Sequence, residues 1–594
     1  MKKLFCFGLF MMLGAFCWGD SLNDYKLAKK YYKENDRVQA VKLFERVAKS
    51  SSPLQDFALY YLALISDENE AVKYAKELVA KYPEFPLSTK IKKKMSEYYF
   101  DREQWRYFSE KTLWDKATGY YNGKNWLKAK KAYEQFLLLY PAAEKKSDAY
   151  YYLALIHLKL QDNLNAERYF ALLGDNSEYA GWALFQRVAA MEAQGDRENA
   201  REAYIELANN YKGAQVGKSA LDSLIKIYWK TDQIDKVIDG YKLQLTYYPN
   251  DSKTAWIYYQ LGRIADNSNN IASANYYYEA ASQHKSSKFL SSELYYRRAV
   301  AHAKLGNQEQ SRTLLTKIAQ DYDYNYYGHL AHNELNLKLP GFSTKGIIPV
   351  FNKWKNAIPR VKTFLSIGDY EDAAVLVRAY QQKSKLSEDY ELSLFLISLY
   401  ENDKNYSSAI QVGESVWGSF SRSNSLSILP KEIWKKSYPL YYKELILPLA
   451  ERYAIDPLLV MALIREESRF DASCTSWAGA KGLMQLMPET AQAVAKSSNL
   501  KWGDLYSPSF NIQIGILHFS YLLNSYKNNY SQVLAAYNGG INAANRWISS
   551  NRGATESEFT EYITYEESRN YVKKVLNSYW IYKRLYSIDL KRDP

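Results

Sequence analysis

The sequence predicts an all-α protein, and three observations predict it. Apolar residues recur at helical spacing through most of the chain, with no long run that alternates at period two. Gly and Pro are sparse inside the periodic segments and gather in short turns between them. A hydrophobic share of 47% excludes a disordered chain, while 594 residues exceed what one core accommodates, so several domains are expected.

The first segment, 1–19, reads as an export signal. Lys2 and Lys3 precede an apolar run from Leu4 to Trp18, and the first acid is Asp20. Cleavage is expected after Gly19. Phe16 before Cys17 argues against a lipoprotein, because lipid attachment favours a small residue there. The run is too short to span a bilayer and no later segment qualifies, so the protein is peripheral to a membrane at most. Of the three cysteines, Cys6 and Cys17 fall in the signal. The mature chain keeps Cys474 alone, without an internal disulfide. Such a chain fits the periplasm of a double-membraned bacterium.

From 20 to 345, helix pairs are predicted. Asn35-Asp36, Asn122-Gly123, Asp162-Asn163, Gly195-Asp196 and Gly306-Asn307 mark turns. From Asn122 onward they recur at roughly 33–40 residues, close to the tetratricopeptide period. The positions around the turns agree. Ala129, Ala132 and Phe136 are echoed by Leu153, Ala154, Ala166 and Phe170, and again by Ala193, Ala200, Ala203 and Tyr204. Small alanines let two helices approach, and aromatic rings fill the seam. One such pair cannot bury its own apolar face, so neighbours stack into a superhelix. That superhelix serves as a binding solenoid or as a rigid spacer.

Leu339-Pro340-Gly341 and Ile348-Pro349 interrupt the pattern. A helical linker domain is expected over 346–436, with a Ser-rich loop from Ser421 to Pro430, and a last domain over 437–594. The formal net charge is +13. The last domain carries only about +2 of it, so the body upstream is basic and suited to an anionic partner. A merely solvated basic surface reads the same way. Nucleic acid is an unsuitable partner for an exported chain. The 56 tyrosines suit helical repeats and sugar-binding clefts alike.

The chemistry concentrates in the last domain. Asp456 is a good N-cap and Pro457 suits the first helical position. On a helical wheel Leu459, Val460, Leu463, Ile464 and Phe470 share an apolar sector, and Arg465 and Arg469 fall opposite. Glu467 alone among the polar residues points into the middle of the apolar side, while Glu466 lies about 100° away. A carboxylate there holds its proton more tightly, as a general acid must, or it pairs with an arginine.

Glu467-Ser468 precedes Gly479-Ala480-Lys481-Gly482-Leu483-Met484-Gln485-Leu486-Met487-Pro488. Ala536-Tyr537-Asn538-Gly539-Gly540 and Glu567-Ser568-Arg569-Asn570-Tyr571-Val572 follow. In these four motifs and their order the sequence resembles the soluble lytic transglycosylase family of bacterial cell-wall enzymes, with Ser568 where the family has Thr. The upstream helix pairs, including Tyr326-Tyr327-Gly328, resemble its long members in architecture only.

The resemblance implies a lysozyme-like, mainly α catalytic domain. It implies that Glu467 is the catalytic acid and later the base. Ser476 lies near the substrate's N-acetyl group, Gln485 and Met487 line the cleft, and Tyr537 sets its hydroxyl near the anomeric centre. Asn538 joins it as a substrate-binding residue. Glu567 is a second carboxylate of the cleft that orients Tyr571, backbone or substrate. Gly479 and Gly482 permit a tight turn. The implied reaction cuts the MurNAc–GlcNAc β-1,4 bond of peptidoglycan, and the muramic C6 hydroxyl closes a 1,6-anhydro ring without water. The implied partners are the glycan strands and, through the solenoid, cell-wall synthesis proteins. Two rivals stay open: a hydrolytic muramidase on the same scaffold, and a non-enzymatic scaffold. No metal or organic cofactor is expected. Among the six histidines only His329 and His332 are close, and they are expected on a solvated helix.

Overall fold

A computed structural model describes residues 20–173, 177–285, 288–342, 351–386, 389–420 and 429–586. The expected export signal with Cys6 and Cys17, the Ile348-Pro349 interruption and the Ser-rich loop up to residue 428 lie outside the described residues. Helices dominate, and the β pairing among the described residues is confined to isolated bridges, Thr475 with Lys481 and Lys481 with Leu486. No described helix is long and apolar enough to cross a membrane. The chain forms two compact units, one of residues up to Ser88 with Arg312 onward, the other of Thr89–Ser311.

The second unit is a succession of helices, most of which pack on the next. Glu110–Asn122 is followed by Trp126–Leu139, whose N-cap Asn125 accepts the Lys128 amide. Ala129 and Ala132 are fully buried beside Tyr133 and Phe136, so the small residues do let the helices close on the rings. Leu153, Ala154, Ala166, Ala200 and Tyr204 are buried at the equivalent places, Phe170 and Ala203 are partly buried, and Ala193, expected in the seam, is exposed because it ends its helix. Each large ring removed from water there contributes roughly 1.5–3 kcal/mol before the entropy of ordering it. Small residues and rings at this spacing therefore make the hairpins self-specifying.

In the first unit, the helices over 20–65 pack on those over 351–402. Tyr25, Phe44, Phe57 and Phe364 meet edge to face, with Tyr25 and Phe364 centroids 6.0 Å apart. Lys29 is almost enclosed among Asp372 at 2.9 Å, Glu371 at 3.2 Å and Asp369 at 3.4 Å. Arg360 sets one guanidinium nitrogen between both oxygens of buried Asp56, at 2.7 and 2.8 Å.

The Tyr326–Glu334 helix begins with the Tyr-Tyr-Gly sequence. A Cβ at Gly328 would stand 1.8 Å from the Tyr322 carbonyl oxygen, so only glycine fits that approach. Tyr327 then donates to Glu561 at 2.8 Å and accepts from buried Lys573, which ties this helix to the last one, Glu566–Leu585. His329 and His332 are buried rather than solvated as expected. Their Nδ1–H groups donate to the carbonyls of Asn325 and Gly328, and His329 stacks on Trp580. Burial holds His329 down at about 3, so it is neutral. The covering ring stands some 250 positions along the chain, where no local pattern reveals it.

Candidate active site

The Pro457–Ser468 helix crosses the interior of the last domain against Glu566–Leu585. Asp456 caps it by accepting the Leu458 amide at 2.9 Å, with Pro457 in the first turn. Every residue from Leu458 to Arg465 is buried. The wheel's apolar sector is correct, but its opposite face is no solvent face. Arg465 is enclosed there, its Nε donating to the Ser437 carbonyl at 2.9 Å and Nη2 to Glu414 at 2.8 Å. Its guanidinium lies 4.0 Å from the Tyr438 ring centroid. Glu466 turns away from Glu467, accepting from Arg465 and from the Ser578 hydroxyl at 2.6 Å.

The helix ends abruptly because Arg469 and Phe470 both take positive φ, 48° and 60°. That reversal leaves Glu467 in the final turn with its carboxyl facing inward. Tyr571 donates to its Oε1 at 2.5 Å. Burial, reinforced by the neighbouring Glu466 charge, pushes the Glu467 carboxyl up to about 7 despite the Tyr571 hydrogen bond. The group is protonated for part of its time near neutrality, as a general acid must be.

The loop after the helix is sewn to it by main-chain and short side-chain bonds. Ser468 donates to the Leu483 carbonyl at 2.8 Å. The Cys474 carbonyl accepts the Gly482 amide at 2.9 Å and the Gln485 side-chain amide at 3.2 Å. Gly482 has φ 76°, and a Cβ there would lie 2.2 Å from the Leu505 carbonyl oxygen. Asn511, fully buried, takes the Met484 amide at 2.8 Å and donates to the carbonyls of Lys481 and Leu505. Ser476 accepts the Ala480 amide on its hydroxyl at 3.0 Å, closing the loop tip. Tyr537 donates to the Met484 carbonyl at 2.7 Å, and the Glu467 charge reaches it and helps raise its phenol well above the usual range, after burial.

Residues 444–560 match the family model described as the transglycosylase SLT domain. Upstream, 112–143, 182–214 and 293–323 match the tetratricopeptide repeat model. The chain is 33% identical over 160 residues to the soluble lytic murein transglycosylase of Escherichia coli K12, covering 26% of this chain and 25% of that one. It is 30% identical over 187 residues to the membrane-bound lytic murein transglycosylase C of Edwardsiella ictaluri, covering 27% and 52%. The aligned part thus spans a quarter to a half of these relatives' length. Among solved structures it resembles the 70 kDa soluble lytic transglycosylase of Escherichia coli, with TM-score 0.64 at 16% identity over 95% of this chain and 96% of that one. It also resembles an inactive mutant of lytic transglycosylase Slt from Pseudomonas aeruginosa, with TM-score 0.59 at 18% identity over 89% and 92%. At such identities these two likenesses concern the fold.

Within the matched domain the expected residues fall into two groups. Glu467 and Tyr537 are within electrostatic reach of one another, and the loop carrying Ser476 and Gln485 leads from one to the other. Met487 is exposed at the start of Pro488–Ser497. Asn538 accepts the Ser568 hydroxyl at 2.7 Å, which joins two of the sequence motifs directly. Glu567 is exposed in the first turn of Glu566–Leu585 and does not hold the Tyr571 hydroxyl, which goes to Glu467. Tyr571 as the partner of Glu467, and Asn511 as the hub of the loop, were missed from sequence. An Asn in the first turn of the apolar Pro508–Ser525 helix was the available signal for Asn511.

Proposed function

We propose that this protein is a peptidoglycan lytic transglycosylase whose acid and base is Glu467. The observation that carries the reading is a carboxyl raised to about 7 by burial, bonded to one tyrosine, with its neighbour Glu466 already engaged by Arg465 and Ser578. Two-carboxylate glycosidases set their pair roughly 5–9.5 Å apart across the bond. Glu466, the carboxylate whose charge raises Glu467, turns to the other side of the helix and is bound there.

In this reading Glu467 donates its proton to the oxygen joining MurNAc C1 to GlcNAc C4, and that bond breaks. The substrate's own N-acetyl group stabilises the cation at C1. The C6 hydroxyl of the same muramic ring then attacks C1 and returns its proton to Glu467. The 1,6-anhydro product consumes no water. Ser476, Gln485, Met487, Tyr537, Asn538 and Glu567 are proposed to bind substrate. Ser476 and Gln485 do so from side chains that also brace the loop. The leader over 1–19 supports a periplasmic site of action, and the basic upstream helices support capture of an anionic glycan. The domain limits 20–345, 346–436 and 437–594 are proposed on the same terms.

Digestion of purified sacculi tests the reading. The expected products carry a mass one water below those of hydrolysis, and Glu467→Gln makes neither. Products retaining that water would identify a hydrolytic muramidase instead. No product from the wild-type protein would leave the scaffold alternative.

A further inference from the structure

The site loop presents something the reaction does not require. Trp477 stands at the loop tip with 96% of its surface exposed. An indole left in water forgoes a large burial gain. The tip is not loose. Ser476 and Ala480 exchange main-chain and side-chain bonds at 2.9 and 3.0 Å across it, Gly479 turns it at φ 91°, and Thr475 bridges to Lys481. The ring is therefore held out on a braced support, which lowers the entropy lost when a ligand meets it.

Its surroundings are those of a carbohydrate platform. Thr475 and Tyr506 hydroxyls meet at 2.8 Å, and the Lys481 ammonium lies 5.4 Å from the Tyr506 ring centroid. Tyr506 and Trp502 are both partly exposed on the neighbouring segment, which Gly482 approaches at the Leu505 carbonyl. No carboxylate among the described residues forms a salt bridge with Lys481. The base of the same loop is tied to the helix that carries Glu467, since Ser468 donates to the Leu483 carbonyl and the Gly482 amide bonds the Cys474 carbonyl. Three residues of extended chain, ~10 Å, separate Cys474 from Trp477.

We propose that Trp477 and Tyr506, with Lys481 beside them, form an outlying glycan subsite, in which the Trp477 indole stacks on a sugar ring and Lys481 meets a lactyl or stem-peptide carboxylate. The ring supplies an apolar face for the C–H side of a pyranose, and the ammonium supplies the countercharge that muramic residues alone among the sugars of this polymer need. This rests on the peptidoglycan reading above and adds to it a preference for longer strands with free carboxylates.

The test uses the full chain and two defined peptidoglycan fragments with free stem carboxylates, a tetrasaccharide and an octasaccharide. Wild-type protein should show a lower KM on the longer one. Trp477→Ala should remove that difference, raising KM on the octasaccharide about fivefold, the scale of one aromatic contact. Lys481→Gln should remove the preference for free over amidated stems. Trp477→Ala with an unaltered KM on both lengths, while wild type makes anhydro product, overturns the subsite and leaves the reaction standing. Failure of wild type to cleave either fragment overturns the reaction and the subsite together. Affinity of the Glu467→Gln protein for the uncleaved octasaccharide, with and without Trp477→Ala, gives the same comparison without turnover and should differ by the same factor.

Discussion

Asp372 and Glu467 both receive tyrosine hydroxyls inside the first unit. Asp372 accepts Tyr25 at 2.6 Å and Tyr61 at 2.8 Å, and Lys29 at 2.9 Å completes its shell. Glu467 accepts Tyr571 at 2.5 Å, and no ammonium or guanidinium among the described residues pairs with it. The local vocabulary is shared, and the countercharge is the difference. Three carboxylates around one lysine make a tie between helices. One carboxyl among phenols, with every nearby cation committed elsewhere, keeps a proton to give away. A raised acid alone does not mark chemistry, since burial and the Asp372 charge also raise Asp369, deep in the tie.

The sharpest break in this contrast is substitution at the two carboxylates. Glu467→Gln should lower the rate on sacculi by at least about 100-fold, the scale of general acid catalysis, with the fold retained. Asp372→Asn should leave the product spectrum intact and cost about 3 kcal/mol of stability, because Lys29 stays buried with a weakened shell. Product mass and thermal melting of the two variants separate the roles. Equal losses of activity would erase the distinction.

The contrast also has a pH signature. A carboxyl raised to about 7 in the folded chain binds a proton there that the unfolded chain has already released. Stability therefore falls as pH rises from the ordinary carboxylate range to about 7, then levels off, by up to about 3 kcal/mol. Glu467→Gln should remove this decline and melt higher than wild type at pH 8. Asp369 contributes a decline of the same sign to both proteins, so the difference between them isolates Glu467. A constant offset between the two melting curves across pH would contradict the assignment.

Tyr571→Phe sharpens the same point with a smaller effect. The lost hydrogen bond had favoured the ionised form, so the Glu467 acid should weaken further and the alkaline limb of the rate profile should move to higher pH. A rate loss of about tenfold is expected alongside. An unmoved limb would show that the phenol does not act on the carboxyl. Least of all should happen on Cys474→Ser, since the thiol is partly buried and unpaired as a disulfide. Melting temperature should correspond to a change within about 0.5 kcal/mol, in oxidant or reductant. Covalent dimer on a non-reducing gel would contradict this.

Sequence made Glu467 and the direction of Glu466 legible because both follow from the phase of a single helix. The alanine and aromatic seams of the hairpins were legible for the same reason. What escaped were burials completed by distant chain. Arg465 was placed on a polar face, but Glu414 and Tyr438 close over it. His329 looked solvated until Trp580 stacked on it, and His332 is buried with it. Tyr571 was recognised as part of a motif, whereas its partner was sought next to it in the chain and stands 104 positions away.

The guanidinium of Arg465 sets a limit on how this domain travels. A chain begun at Ser437 would keep the Ser437 carbonyl, the Tyr438 ring and Glu466, and would lose Glu414, which lies on the Tyr406–Phe420 helix. An interior cation would then face water or a single remaining carboxylate, two places before Glu467. The chain from Ser437 onward is consequently a poor cassette for fusion to foreign repeats. A graft that succeeds must carry the Tyr406–Phe420 helix along, or replace Arg465 with an uncharged side chain that fills the same space.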